Sequence, residues 1–345
     1  MNHLNKTIAL LLALVFAMSF LLCGCAEKEE EPVSRDLFAM DTYMTVTAYG
    51  RHAEKAVDEA VRELNRLDAL LSTGKEASEV AALNKNGGGD LSKDTNTLLK
   101  AALELYKSTG HVFDITIYPV MKLWGFTDQN YKVPAKEDLT EALQLVDAGA
   151  LDYDADAKTV AFGKEGMAVD FGGIAKGYAS SRVIEIFREQ GVTSGIVNLG
   201  GNVQTLGQKP DGTDWRIGIQ DPEDEDKMLG VVADHDKAII TSGGYERNFE
   251  EDGVVYHHII DPETGYPADS GLTSVTIVSE DGTLADGLST SLFIMGKAKA
   301  VNYWQKHFKE FDMVLCCDDG TLVVTEGIRE AFSPADEDAT VEYIE

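Results

Sequence analysis

The sequence predicts an α+β fold, and three observations support this class. Several segments place apolar residues at helical spacing, most clearly over residues 53–71. Other segments are short, apolar and rich in β-branched residues, as is typical of strands. Helices and strands follow one another without the regular β-α-β alternation of a doubly wound sheet. No internal repeat and no linker rich in Pro, Gly or Ser divides the chain after its leader.

The first half of the chain is predicted to be mainly helical. Residues 38–49 alternate in polarity, which predicts the first strand. Ala56, Val57 and Leu64 belong to the apolar stripe of a helix over 53–71. Glycines end several of the shorter helices that follow. The further predictions are helices over 78–84, 95–108, 139–146 and 177–190, with strand-like pieces over 159–171.

The second half is richer in strands. Apolar runs predict strands over 195–199, 215–219, 238–241, 254–260 and 272–279, and helical spacing predicts helices over 284–295 and 297–307. Residues 313–317 and 321–324 flank an Asp-Gly turn and predict a β-hairpin. A disulfide between its adjacent Cys316 and Cys317 would be strained, because neighbouring strand residues point to opposite faces. Cys316 and Cys317 are therefore interpreted either as thiols that belong to a strand or as residues with a redox role.

Residues 1–24 have the features of a lipoprotein signal peptide. Lys6 precedes an apolar run over 8–22, and this run is shorter than the ~20 residues of a comfortable membrane span. Leu22-Cys23-Gly24-Cys25 resembles the bacterial lipobox and predicts lipidation of Cys25. An ordinary secretory signal that contains two cysteines is the alternative. Residues 25–36 are then an acidic tether, and 37–345 are a single domain.

The composition excludes two classes of protein. The chain has 59 acidic and 30 basic side chains, a formal net charge of −29. Nucleic-acid binding requires Lys and Arg against phosphates, so nucleic acid is not an expected partner. Four cysteines in 345 residues do not make a disulfide scaffold. Stability must therefore come from an ordinary apolar core.

A glycine-rich turn lies within residues 169–178. Asp170 is followed by Gly172-Gly173 and then by Lys176 at the start of a predicted helix. A helix N-terminus offers free N–H groups and a positive dipole end to an anion, and Lys176 adds a charge. The segment lacks the spacing of a Walker A loop or a Gly-x-Gly-x-x-Gly fingerprint. A phosphate site and a packing turn are both compatible with it.

Two adjacent histidines end a predicted strand in the segment 256–267. His257 and His258 point in opposite directions if the strand continues through them, so one can pack while the other faces a site. A histidine at the mouth of a cleft can act as a general base near neutral pH. Each can equally be a structural residue.

Two further segments carry candidate ligands. Asp286 and Thr290 are four residues apart on a predicted helix and therefore share a face. A carboxylate with a hydroxyl suits Mg²⁺, although helix capping would also explain the pair. The aromatic stretch from Phe113 through Trp124 and Phe126 can hold a planar ring or fill the core.

Together these clusters resemble the ApbE family of bacterial lipoproteins, the FAD:protein FMN transferases. The segments 40–42, 70–73, 197–202 and 241–247 add to a resemblance that covers about residues 38–307. It implies an α+β fold of two intertwined subdomains, with the flavin nucleotide in the cleft between them. It also implies a Mg²⁺-dependent reaction in which a threonine of an acceptor flavoprotein subunit takes FMN from FAD and AMP leaves. Anchoring by lipid at the outer face of the cytoplasmic membrane fits the family.

The resemblance also assigns residues. His258 occupies the family motif His-x-(Ile/Leu)-Asp-Pro and is the expected catalytic base. The implied Mg²⁺ ligands are Asp286, Thr290, the backbone carbonyl of Gly173 and, close enough to contribute, Ser289. The implied flavin- or adenosine-contacting residues are Met40, Gly74, Phe113, Asp114, Asp170, Lys176 and Ile260. Since few basic residues besides Lys176 are expected there, the metal should supply most of the positive charge.

Two departures and two alternative functions accompany this resemblance. Many members have Gly where this chain has Asp41, and an acidic or amide residue where it has Gly244. Asp41 is expected to alter nucleotide affinity, and Gly244 is expected to loosen the turn after Ser242.

The site residues assigned above would also serve an FAD pyrophosphatase that yields FMN and AMP. A non-catalytic flavin-binding lipoprotein is the alternative from another class.

Overall fold

A nine-stranded sheet with helices packed on it forms the largest part of the fold. The computed structural model describes residues 31–345, so the predicted signal peptide and Cys25 lie outside the described residues. The strands are β1 (Val33–Ala39), β2 (Thr42–Ala48), β3 (Gly88–Asp90), β4 (Leu151–Asp154), β5 (Thr159–Phe162), β6 (Gly195–Leu199), β7 (Asn202–Leu206), β8 (Trp215–Gln220), β9 (Met228–Asp234), β10 (Ala238–Gly243), β11 (Asn248–Glu251), β12 (Val254–His257), β13 (Leu272–Ser279), β14 (Asp312–Cys317), β15 (Leu322–Thr325), β16 (Phe332–Pro334) and β17 (Val341–Ile344). The helices are α1 (Ala53–Leu71), α2 (Glu79–Asn86), α3 (Lys93–Ser108), α4 (Tyr118–Trp124), α5 (Lys136–Leu143), α6 (Ala175–Glu189) and α7 (Gly282–His307).

The large sheet has helices on one face and a small sheet on the other. Its strand order is β1-β2-β6-β7-β10-β13-β14-β15-β17. Helices α1, α6 and α7 pack together on one face and bury a core that includes Leu64, Phe187 and Leu288. The sheet β16-β9-β8 covers the opposite face through a second core that includes Trp215 and Val232. This arrangement confirms the α+β class.

A third apolar cluster is built around Trp124. The indole is fully buried, and its Nε1–H donates a hydrogen bond to the carbonyl of Gly265 at 2.8 Å. Phe126, Leu139 and Ile260 are buried with it. Of the two interpretations of the aromatic stretch, core packing is therefore the correct one for Trp124, because its ring and its N–H are both occupied by protein.

The N-terminal part of the described chain differs from its prediction. One strand was expected over 38–49 after a solvated tether, but a hairpin begins at Val33, which pairs with Ala48. The last four residues of the predicted tether therefore belong to β1. The turn is formed by Met40 and Asp41, with φ of 48° and 61°. Two consecutive positive φ values are typical of a two-residue hairpin turn, which matches the twist of its strands.

Two other elements differ at their ends, whereas a predicted helix break is present. The strand-like region ends at Phe162 rather than 171, and β12 ends at His257 rather than at residue 260. The two helices predicted over 284–295 and 297–307 are present as the two segments of α7, which are separated by the non-helical Gly296 with φ 75° and ψ 167°. A Cβ at Gly296 would lie 2.7 Å from the carbonyl oxygen of Ser270, so a side chain does not fit there.

The remaining long elements agree closely with their predictions. The helix over 53–71, the strands over 195–199 and 272–279, and the hairpin of β14 and β15 are all present. Cys316 and Cys317 are free, buried strand thiols, and burial raises the pKa of both. Residues 32–345 form one compact unit. No helix within 31–345 combines the length and apolar character needed to cross a bilayer.

Candidate active site

One cavity collects nearly all of the predicted site residues. Its volume is about 1760 Å³, well above the ~300–1,000 Å³ of an ordinary small-molecule pocket. Eleven predicted residues form part of its wall: Met40, Gly74, Phe113, Asp114, Asp170, Gly173, Lys176, His258, Ile260, Asp286 and Thr290. These residues are distant in sequence, so the fold itself brings them together. The size and polarity of the cavity suit a ligand as large as a dinucleotide.

The N-terminus of helix α6 forms part of the cavity wall. Asp170 precedes it in a turn, where its Oδ1 accepts a hydrogen bond from Gly172 N at 2.8 Å. Helix α6 begins at Ala175, which places Lys176 in the first turn and in the wall. The helix dipole and the lysine charge therefore act in the same direction. This end of the cavity is suited to a phosphate group.

Helix α6 also holds the carboxylate of Asp286. Gly177 N donates a hydrogen bond to Asp286 Oδ2 at 2.8 Å. The two helices approach so closely here that a Cβ on Gly177 would lie 2.0 Å from the carbonyl oxygen of Gly282. Asp286 is only 3% exposed, yet it reaches the cavity wall. One oxygen of the carboxylate is thus fixed by the helix, and the other is left for a ligand in the cavity.

Asp286, Thr290 and Gly173 together form an oxygen-donor set. Thr290 lies one turn after Asp286 on α7, and its Oγ1 is 3.9 Å from the position that a Cβ on Gly173 would take. A carboxylate, a hydroxyl and a backbone carbonyl are the hard ligands that Mg²⁺ prefers, with water and substrate oxygens completing the shell. The donor set therefore fits that ion. No cluster of three or more His, Cys, Asp or Glu side chains suited to a metal occurs in residues 31–345.

Ser289 does not reach the cavity, which corrects the prediction that it contributes to the metal site. Its side chain is fully buried and is absent from the wall. Its hydroxyl donates a hydrogen bond to the carbonyl oxygen of Asp286 at 2.8 Å. The next helical position, Thr290, faces the cavity instead, because successive side chains on a helix point about 100° apart.

The two adjacent histidines have different surroundings. His258 lines the cavity, whereas His257 does not; its Nε2–H donates to the carbonyl oxygen of Ala268 at 3.1 Å. The Nδ1–H of His258 donates to the carbonyl oxygen of Arg247 at 3.1 Å, which leaves Nε2 as the acceptor. Burial, assisted by the charges of Arg247 and Lys176, lowers the pKa of His258 to about 3. The ring is therefore neutral at physiological pH, and its Nε2 holds the free lone pair.

His257 lies against Gly244 and leaves little room for a side chain at that position. A Cβ at this position would lie 2.9 Å from Cδ2 of His257. The turn after β10 therefore packs directly on the imidazole. The absence of a side chain at Gly244 allows this packing on His257. The sequence suggested a different role for Gly244, which was to loosen the turn.

Arg247 lines the cavity together with Lys75, and the sequence prediction missed both cations. The Nη2 of Arg247 lies 3.0 Å from Oδ2 of Asp41, which joins the turn of the first hairpin to the segment after β10. The expectation that the site has few basic residues besides Lys176 is therefore wrong. In the sequence, the segment 241–247 contributes only to the family resemblance, and no local pattern indicates a pairing of residues 206 positions apart.

Asp114 supports the wall as well as lining it. Its Oδ1 accepts hydrogen bonds from the backbone N–H and the hydroxyl of Thr116, at 2.8 and 2.5 Å. Its Oδ2 accepts a third from Ala148 N at 3.1 Å. Burial raises the pKa of Asp114 and likewise that of Asp170. Asp114 therefore joins the segment at Thr116 to the segment at Ala148. It is also one of the residues expected to contact the flavin nucleotide.

Glu246 adds an acidic group that the sequence prediction also missed. The residue is exposed, but its carboxylate lines the cavity and is partly desolvated by the groups around it. This desolvation raises its pKa from 4.5 to about 7; Lys176 opposes the shift and Asp286 adds to it. The carboxyl of Glu246 therefore keeps its proton to a higher pH than an ordinary glutamate does.

We expect the Glu246→Gln substitution to stabilise the protein more at pH 8 than at pH 5. The pKa of Glu246 is higher in the folded state than in the unfolded state, so its contribution to stability is fully present below pH 4.5 and is lost as the pH rises through about 7. Glutamine does not ionise and removes this loss. Thermal unfolding of both proteins at the two pH values measures the effect. An equal difference in Tm at pH 5 and pH 8 would contradict it.

The fold and the cavity define an α+β protein with a large polar cavity beside a helix N-terminus. A family model described as the ApbE family matches residues 40–315. The chain therefore belongs to the ApbE family, as the sequence motifs indicated.

Named relatives agree with this assignment. The FAD:protein FMN transferase of Treponema pallidum is 33% identical over 299 residues, which cover 81% of this chain and 82% of that protein. The enzyme of the same name from Haemophilus influenzae is 30% identical over 332 residues, 92% of this chain and 95% of that protein. The similarity therefore extends through more than four fifths of each relative.

Solved structures show the same fold. The crystal structure of the ApbE protein of Thermotoga maritima superimposes with a TM-score of 0.82 at 32% identity, covering 87% of this chain and 99% of that one. The flavin transferase ApbE of Vibrio cholerae gives a TM-score of 0.78 at 27% identity, covering 88% and 99%. These matches confirm the ApbE-like fold predicted from the sequence.

Proposed function

We propose that this protein is an enzyme that transfers FMN from FAD to a threonine hydroxyl of an acceptor protein and releases AMP. Membership of the ApbE family and relatives named FAD:protein FMN transferase support the overall reaction. The observation that carries the proposal is a single cavity that joins a phosphate-binding helix end, an oxygen-ligand set and a neutral histidine. Binding alone would require neither the ligand set nor the histidine.

Mg²⁺ is the proposed cofactor, held by Asp286, Thr290 and the carbonyl of Gly173. When bound, it withdraws charge from phosphate oxygens and so makes the phosphorus more electrophilic. Lys176 and the N-terminus of α6 would bind the diphosphate next to this ligand set. Arg247 adds positive charge once a phosphate competes with Asp41 for its guanidinium group. Together these groups offset the repulsion expected from a strongly acidic chain.

His258 is the proposed general base. Its neutral Nε2 accepts the proton of the threonine hydroxyl while the threonine oxygen bonds to the FMN phosphorus. The bond from that phosphorus to the bridging oxygen breaks, and AMP leaves with the oxygen. The products are a phosphoester-linked FMN on the acceptor, AMP and a proton on His258. The Nδ1–H of His258 donates a hydrogen bond to the carbonyl oxygen of Arg247, and this fixes the ring so that Nε2 is directed away from that carbonyl.

An incubation of the purified protein with FAD, Mg²⁺ and a candidate acceptor domain tests the function. Transfer gives an acceptor that fluoresces as flavin on a denaturing gel. Free FMN and AMP with an unlabelled acceptor would indicate an FAD pyrophosphatase. Unchanged FAD bound to the protein would indicate a binding lipoprotein. Either of the last two results contradicts the transferase.

We further propose that the protein is exported and held at the outer face of the cytoplasmic membrane by a lipid on Cys25. The lipobox-like sequence supports this. Loss of residues 1–24 removes one lysine and no acid, which takes the formal charge from −29 to −30. Anionic head groups repel such a chain, so the lipid would be the main attachment.

Replacing Cys25 by alanine should move the protein from the membrane fraction to the soluble fraction. The physical reason is that no lipid can then be attached, while the strong negative charge gives no affinity for anionic bilayers. Fractionation of cells that export the two forms measures the change. Membrane retention of the Cys25→Ala protein would disprove the anchor.

A further inference from the structure

Three hydroxyl groups form a chain behind Thr290. Ser242 lies in β10, next to its last residue, and its Oγ is 2.7 Å from Oγ of Ser289 and 3.4 Å from Oγ1 of Thr290. The Ser289 hydroxyl is 2.8 Å from the carbonyl oxygen of Asp286. Ser242 and Thr290 face the cavity, whereas Ser289 is fully buried behind them. The chain thus runs from the proposed metal site into the contact between β10 and α7.

The direction of each hydrogen bond follows from the carbonyl at its end. A carbonyl oxygen can only accept, so Ser289 donates its single proton to Asp286. The short contact between the two serines must then be a donation from Ser242 to Ser289. Since the proton of Ser242 is used there, Thr290 is the donor in the longer contact at 3.4 Å. The hydroxyl proton of Thr290 therefore points towards Ser242.

The direction of these hydrogen bonds matters because a threonine within a helix has another acceptor available for its hydroxyl proton. Thr290 would commonly donate to the carbonyl four residues earlier, which is that of Asp286. In this structure Ser289 donates to that carbonyl, and the contact of the Thr290 hydroxyl is with Ser242 instead. With its proton directed to Ser242, the oxygen of Thr290 presents its lone pairs to the cavity. A cation needs lone pairs, whereas a bare phosphate would need the proton, so the chain selects for a cation at this point.

We propose that Ser242 is a positioning residue that, together with Ser289, orients the Thr290 hydroxyl as a cation ligand. This inference rests on the proposed function, in that it assigns the cation site of the same cavity. Ser242 acts through Thr290 and needs no contact with the reacting atoms. Residues that orient metal ligands in this way commonly contribute ~10–100-fold to metal affinity.

The test measures metal binding without acceptor or turnover. Mn²⁺ is titrated into the purified protein, and the free ion is followed by electron paramagnetic resonance. Ser242→Ala and Ser289→Ala should each raise the Kd for Mn²⁺ by ~10–100-fold. The double variant should lose little more than either single one, because both interrupt one chain. Ser242→Thr keeps a hydroxyl and should restore the affinity.

Ser291→Ala is the matched control. Its hydroxyl is equally buried on α7 but donates to the carbonyl of Gly287 at 2.6 Å and is absent from the cavity wall. It should leave the Kd for Mn²⁺ unchanged. Unchanged affinity in Ser242→Ala, or additive losses in the double variant, would overturn the inference, as would a wild-type protein that binds no Mn²⁺. Weakened Mn²⁺ binding in a protein that never transfers FMN would uphold the inference and reject the proposed function.

Discussion

Replacing Asp286 by asparagine is expected to reduce FMN transfer by ~10³-fold or more and to remove its dependence on Mg²⁺. Asparagine keeps the shape of the side chain and an oxygen that can accept from Gly177 N, so the contact between the helices is preserved. What it removes is the one carboxylate of the proposed ligand set. Initial rates measured across a range of Mg²⁺ concentrations report both effects.

Asp281→Asn is the matched control for this variant. Asp281 begins the same helix, accepts hydrogen bonds from Thr283 N and Leu284 N at 2.8 and 3.2 Å, and is absent from the cavity wall. Asparagine caps a helix as well as aspartate does, so this protein should transfer FMN normally. Near-normal, Mg²⁺-dependent transfer by Asp286→Asn would remove the metal assignment.

His258→Ala is expected to bind FAD but to transfer FMN ~10²–10⁴-fold more slowly. The ring contributes a neutral proton acceptor, and the helix N-terminus and Lys176 that bind phosphate remain in place. FAD affinity from flavin fluorescence, together with single-turnover transfer, separates binding from chemistry. Transfer at the wild-type rate would exclude His258 as the base.

His257→Gln is the matched control for the histidine. His257 lies beside His258 in sequence, but its Nε2–H donates to Ala268 and it is absent from the cavity wall. A glutamine amide can also donate to that carbonyl, so transfer should continue. Loss of FAD binding in His258→Ala, with both proteins folded, would show that His258 has a structural role instead.

Much of the site could be predicted because its parts are local in sequence. The glycine turn before Lys176 and the four-residue spacing of Asp286 and Thr290 are short patterns with a direct geometric meaning. The helix over 53–71 was predictable for the same reason, since its apolar residues repeat with the helical period. Side chains on one face of a helix stay together in whatever fold surrounds them.

Other features depend on contacts that no local pattern reports. Met40 and Asp41 adopt positive φ without a glycine or asparagine to mark the turn, so alternating polarity suggested one continuous strand. The ion pair of Asp41 with Arg247 and the hydroxyl contact of Ser242 with Ser289 link segments 206 and 47 positions apart. Such pairings follow from how β10, α7 and the first hairpin pack together.

The most direct test of the proposed function is to measure AMP and acceptor-bound FMN in the same reaction. The wild-type protein is incubated with FAD, Mg²⁺ and an acceptor domain, and with the same domain after its target threonine is replaced by valine. The account predicts equal amounts of AMP and threonine-linked FMN with the first acceptor and neither product with the second. Release of AMP and free FMN at the same rate with both acceptors would contradict it.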